Sequence, residues 1–259
     1  MSKSVFIVMM AVMLAGCKKR PLPENPITVP DEKAEHTGSV TFEFDHVAGN
    51  EALVLEDKWY LTENNDSVNF SVFNYYLSNF VFIGNNGEEY RQPESYYLVK
   101  EVQPGSKRFE IKDIPAGRYK QLRLLIGVDS ARNVSGAQTG ALDPMNNMFW
   151  DWNTGYIMVM IEGRSPRSAT PAKTVAFHFG GFRKEDNATR EVVLDLPGTL
   201  DIKDGGHSTV HIKTDILECF KTPNAIDIES LTTHMMSGGT PNYIMSDNYT
   251  DMFTVDHIE

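Results

Sequence analysis

Thiols are almost absent from this chain: two cysteines, Cys17 and Cys219, in 259 residues. That excludes a disulfide framework and any thiolate-rich metal cluster. Positive charge is short as well, with 24 Lys and Arg against 35 Asp and Glu and a formal net charge of −11. Nucleic-acid binding needs clustered cations to displace phosphate counterions, so that class is excluded too. Beyond the N-terminus no apolar run approaches the roughly 20 residues that a spanning helix needs. There is no Gly-x-x-x-x-Gly-Lys phosphate loop, His-Glu-x-x-His pair, Gly-x-Ser-x-Gly elbow or Cys-x-x-Cys. The carboxylates are plentiful, but none is marked out as an acid–base pair, and the expectation is a protein that is not an enzyme.

What is present suffices for a core. The chain is 41% hydrophobic with 14 Phe, 10 Tyr and 3 Trp, which excludes global disorder and suits one sizeable domain. At the N-terminus a lysine, the apolar run Val5 to Leu14 and the small residues Ala15-Gly16 precede Cys17, the pattern of a cleaved secretory signal. Leu14-Ala15-Gly16-Cys17 resembles the lipobox of bacterial lipoproteins, which implies a signal peptide over 1–16 and acylation of Cys17. Residues 17–37 then read as a tether: Pro21, Pro23, Pro26 and Pro30 alternate with charges, without apolar period. The expected localisation is an outer-membrane lipoprotein, facing the periplasm or the cell surface. The remaining cysteine, Cys219, reads as a buried small hydrophobe.

Residues 38–259 read as strands. Val40, Phe42, Phe44 and His46 share one face of an alternating run, and Leu122, Leu124, Ile126 and Val128 share a face of another. Further extended runs are expected at Lys58–Leu61, Phe70–Ile83, Tyr96–Glu101, Lys107–Ile111, Tyr156–Glu162, Thr174–Phe179, Arg190–Leu196 and Thr209–Asp215. Turn signals separate several of them: Asn86-Gly87, Pro104-Gly105 and Pro115-Ala116-Gly117. About nine or ten strands with few helices predict an all-β, antiparallel β-sandwich. After Lys221 the pattern turns irregular, with a short helix expected over Ile226 to Met236.

Asp129 to Gly155 has no period, and loops of that length tend to be functional. It holds Asp129, Asn133, Asp143, Met145, Met148, Trp150 and Trp152. It reads either as a plug whose Trp rings close one end of the sandwich or as part of a site. Among the seven histidines, His46 ends a core-facing run, and His178 lies opposite the bulky Val175, Phe177 and Phe179. A neutral imidazole on a strand face needs a partner, either a hydrogen-bonding group or a borderline metal. His207 and His211 read as solvated. The later His234-Met235-Met236 suits gap-filling by methionine as well as soft-metal binding.

Five ordered motifs carry a resemblance: Phe44-Asp45-His46-Val47-Ala48-Gly49, Tyr75-Tyr76-Leu77-Ser78-Asn79, Gly127-Val128-Asp129-Ser130, Leu142-Asp143-Pro144 followed by Met148-Phe149-Trp150-Asp151-Trp152-Asn153-Thr154-Gly155-Tyr156, and Phe177-His178-Phe179-Gly180-Gly181. Over about residues 38 to 259 the chain resembles the MbnP-like, methanobactin-associated copper-binding proteins. The resemblance implies an extracytoplasmic β-sandwich binding one copper ion through histidines, with a tryptophan nearby oxidised to kynurenine by a partner di-haem enzyme (MbnH-like) related to cytochrome c peroxidases. Carried over residue by residue, it makes His46 and His178 the histidine ligands and Met148 a candidate soft ligand. Trp150, with Trp152 behind it, is the residue to be modified. Related copper proteins place a histidine two residues after that tryptophan, where this chain has Trp152. The alternative reading is an accessory lipoprotein that binds glycan or protein through its aromatic residues.

Overall fold

A computed structural model describes residues 36–136, 138–150, 155–183, 186–230, 235–236 and 240–259. The signal peptide, Cys17, most of the tether, Trp152 and His234 lie outside the described residues. In chain order the strands are β1 (Thr37–Ala48), β2 (Glu51–Ala52), β3 (Tyr60–Leu61), β4 (Ser67–Gly84), β5 (Glu89–Arg91), β6 (Tyr96–Lys100), β7 (Arg108–Pro115) and β8 (Gly117–Ile126). After a loop containing the one-turn helix α1 (Ser130–Asn133) come β9 (Ile157–Arg164), β10 (Thr174–Gly180), β11 (Phe182–Arg183), β12 (Asp186–Asn187), β13 (Arg190–Ile202) and β14 (His207–Asp215). The C-terminal part adds β15 (Met235–Met236), helix α2 (Thr240–Asn248) and β16 (Phe253–Ile258).

These strands form an all-β sandwich. A five-stranded sheet runs β16-β14-β1-β2, with β7 also paired to β1. A nine-stranded sheet runs β13-β8-β4-β9-β10-β15, with β3, β5 and β6 also paired to β4. Pairing is mostly antiparallel, but β1 runs parallel to β14 and β10 parallel to β15. Every extended run read from the sequence contains a strand, although only Tyr60–Leu61 of Lys58–Leu61 pairs and Lys107 belongs to the turn before β7. Those not anticipated are the short β2, β5, β11, β12 and β15, and the six-residue β16. The helix expected over Ile226 to Met236 is corrected: Ile226 and Ile228 are buried on irregular backbone, Met235–Met236 is a strand, and the helix is α2. Ile226 and Ile228 follow a spacing of two, which puts both on one face of an extended segment and on different faces of a helix.

Alternation explains the packing. Val40, Phe42 and Phe44 of β1 point inward, as do Phe73 and Tyr75 of β4 and Phe177 and Phe179 of β10, and all are buried. Aromatic contacts run through this layer, such as Phe42 on Phe80 at 5.3 Å and Tyr97 stacked on Phe109 at 3.7 Å between ring centroids. Each such ring contributes roughly 1.5–3 kcal/mol by leaving water. Cys219 is fully buried, its Sγ 3.9 Å from Met252 Sδ, and burial pushes the thiol pKa far up. It packs as a small hydrophobe, as the sequence predicts. Among the described residues no helix is long and apolar enough to cross a membrane.

Candidate metal centre

His46 lies between the two sheets. It is opposite Thr214 of β14 in register, and its ring centroid is 4.9 Å from that of Phe73. The side chain has no solvent exposure. Its Nε2 is 2.8 Å from the Tyr75 hydroxyl, which is 3.3 Å from Thr214 Oγ1. Its Nδ1 faces Glu101 Oε2 at 2.8 Å, off the axis of an aligned hydrogen bond, and Lys107 Nζ donates to the same oxygen. Burial holds the His46 pKa below the usual imidazole value, against the upward pull of Glu101. Burial raises Glu101, but His46 and Lys107 outweigh it and keep the carboxyl below its ordinary range. The ring is therefore neutral near pH 7, with both nitrogens turned to protein partners.

His178 has the opposite surroundings. On β10 it alternates with the inward Phe177 and Phe179, so it faces away from the sandwich. Its Nε2 is 2.6 Å from Glu162 Oε1 of the neighbouring β9, and its side chain keeps 21% exposure. The pair borders a cleft of about 650 Å³ lined also by Glu56, Asn69, Ser71 and Arg164. On the other edge of β10, Met236 of β15 stands in register with His178.

The two histidines are not brought together. Asn74 of β4, Met160 of β9 and His178 form one cross-strand row on the outer face, whereas His46 meets the inner-face residues Phe73 and Tyr75. The sheet itself separates the two rings. The lateral step from β4 to β10 alone is roughly 10 Å, against the 3–4 Å between donor atoms that share an ion. The expectation that His46 and His178 ligate one ion fails on this geometry. The sequence pattern had already put His178 opposite its bulky neighbours, but nothing local says which face is covered.

Trp150 stands on the His178 side. A Cβ built on Gly180 would come within 2.4 Å of the Trp150 ring, so the indole lies directly on that glycine. Gly180 and His178 are alternate residues of one strand, so they share a face about 7 Å apart along it. The loop reaches this position by a hairpin-like return: Trp150 N–H donates to Gly155 O and Ile157 N–H to Met148 O. Gly155 has φ +80°, and a Cβ there would sit 2.2 Å from Asn133 Oδ1. Only glycine combines that backbone with that closeness. Buried Asn133 holds both ends of the loop, accepting from Tyr156 N–H and donating to the carbonyls of Val128 and Asp129. Asp129 caps α1 and accepts from Tyr96 and Asn79. Burial raises its carboxyl, but these bonds outweigh that and keep it low, while burial and the Asp129 bond push Tyr96 up to about 12. Met148 is fully buried in the core, with its sulfur out of the open cleft, and Met145 is exposed.

Glu162 escaped sequence reasoning because its histidine partner is 16 residues away and the contact exists only once β9 and β10 pair. His211 departs from the solvated reading. Its ring stacks on His257 at 4.1 Å and keeps 16% exposure.

The family model described as MbnP matches residues 37–238, more than half of the chain. Among solved structures the fold is similar to MbnP from Methylosinus trichosporium, with a TM-score of 0.52 at 14% identity, covering 74% of this chain and 80% of that one. No curated protein matches the chain.

Proposed function

The chain belongs to the MbnP family, and from that premise we propose that it is an extracytoplasmic copper-binding protein whose centre lies on the outer face of the larger sheet, around His178. The observation that carries this reading is the His178–Glu162 pair at the edge of an open cleft, with Trp150 seated on the same strand. An imidazole beside a carboxylate suits a borderline ion such as Cu(II), and 21% exposure leaves His178 accessible to it. His46 does not fit that role, since an ion at its nitrogens would have to displace Tyr75 or Glu101 from a closed site. His178 and Glu162 would hold the ion, and Trp150 is the residue for oxidation to kynurenine by a di-haem partner enzyme. Acylated Cys17 anchors the chain to the outer membrane in this reading, and the protein handles copper without catalysing a reaction. The alternative of glycan or protein binding through aromatic residues draws less support from Trp150, whose ring is packed against Gly180.

Copper content of the purified full chain tests the proposal. Wild type and His46→Gln are expected to retain their full copper content, and His178→Ala and Glu162→Gln to lose one equivalent. No copper above background in wild type co-expressed with a di-haem partner would overturn the reading. So would a loss that follows His46→Gln and spares His178→Ala. Intact-mass analysis of the peptide holding Trp150 and Trp152 tests the oxidation separately.

A further inference from the structure

We infer that the outer face of the smaller sheet carries a second metal site, built from His211, His257 and Glu259, for a borderline divalent transition-metal cation. One nitrogen or oxygen atom from each of these three residues lies within 4.8 Å of the others. The backbone produces the convergence. His211 of β14 and His257 of β16 are direct cross-strand partners, and Glu259 exchanges both backbone hydrogen bonds with Thr209. Because residues two apart share a face, His257 and Glu259 stand side by side against Thr209 and His211. Pairing shifts between His211 and Ile212, and the extra residue on β16 is Asp256. Such a bulge re-aims side chains. Asp256 and His257 both end up exposed while Val255 stays in the core.

The donor atoms suit an ion better than they suit one another. His211 Nε2 is 3.8 Å and His257 Nε2 3.6 Å from the Glu259 carboxylate, both beyond hydrogen-bond reach. Donors around one tetrahedral ion with bonds of 2.0–2.1 Å stand about 3.3 Å apart. The His211 Nε2 atom is buried with no hydrogen-bond partner. His257 Nδ1 is 2.8 Å from Asp256 Oδ2, so the proton belongs on Nδ1 and the Nε2 lone pair points towards Glu259. A carboxylate on the far nitrogen is how metal-ligating histidines are commonly oriented. The stacked rings, 8° from parallel, must splay for both lone pairs to converge. His257 is 48% exposed and held only at Nδ1 by Asp256, about which its ring can turn, whereas His211 is largely covered beneath it at 16% exposure. Glu43, 3.7 Å from His211 Nδ1, is engaged by Arg108, and Lys213 engages Asp256, which leaves Glu259 as the carboxylate ligand. Two imidazoles and one carboxylate favour Zn(II) or Cu(II) over Mg(II) or Ca(II). His257 and Glu259 lie outside the residues matched by the MbnP family model, so this site stands apart from the His178 reading.

Zn(II) titration of the full-length apo protein by calorimetry, with Co(II) absorption as the geometric readout, tests the inference. His257→Ala and Glu259→Gln are expected to remove one equivalent, or weaken it at least tenfold, with unchanged circular dichroism and loss of the Co(II) visible bands. His178→Ala is expected to keep that equivalent, so failure here and failure of the His178 centre are distinguishable. Stoichiometry in His257→Ala equal to wild type, or equal competition by Mg(II), would overturn it.

Discussion

His46 and His178 are the same residue type, each on an alternating strand, and the fold treats them oppositely. His46 is sealed between sheets with Tyr75 at one nitrogen and Glu101 at the other, whereas His178 sits at the mouth of a cleft with one carboxylate partner. The difference follows from which face of each strand is covered. In β1 the histidine has the parity of Val40, Phe42 and Phe44, and in β10 it has the parity opposite to Phe177 and Phe179. An imidazole that shares its parity with the core becomes structural, and one that opposes it stays available to a ligand.

Removing each histidine should break this symmetry in a measurable order. His46→Ala leaves a cavity and removes one of two partners from each of the Tyr75 hydroxyl and Glu101, so urea denaturation is expected to show a loss of about 2–4 kcal/mol. Next comes Gly180→Ala, whose methyl must displace the Trp150 ring at 2.4 Å. It should cost about 1–3 kcal/mol by overpacking and shift the tryptophan emission, because Trp150 is pushed from its seat. An unchanged spectrum would mean that the ring does not rest there.

The pH response is smaller, and its first limb below neutrality belongs to the buried histidine, ahead of the depressed carboxyls Glu101 and Asp129. The His46 pKa is lower folded than unfolded, so the unfolded chain binds the extra proton as the medium acidifies. Its contribution is fully present above the unfolded value near 6.5 and is lost as pH falls towards the depressed folded value. Stability should drop below about pH 6.5 with a limiting slope of about 1.4 kcal/mol per pH unit for one proton. His46→Gln should flatten that limb. A slope that persists undiminished in His46→Gln would assign it elsewhere. The smallest stability change is expected for His178→Ala, within about 1 kcal/mol because the Glu162 pair is partly exposed. Its melting curve should overlie that of wild type even though its copper content falls.

Much of the sandwich was legible, because alternation at Val40–His46 and Leu122–Val128 and the Gly and Pro turn signals act within a few residues. β16 was missed: the bulge at Asp256 interrupts its alternation, so Phe253, Val255 and His257 do not read as one face. The candidate site was legible as residue types only. His178 and Trp150 were picked out, but Glu162 was not, since its partner is reached across a β-ladder.

The sequence by itself determined the all-β class, the scarcity of thiols that excludes a thiolate-rich metal cluster, and the family motifs. Only the tertiary structure decided that His46 is sealed from His178 by a sheet, that Glu162 pairs with His178, and that His211 meets His257 and Glu259. Periodicity is a short-range property that records which residues share a strand face. Which face is buried, and which distant strand lies beside it, depends on sheet order and register, and those are set by the packing of the whole core.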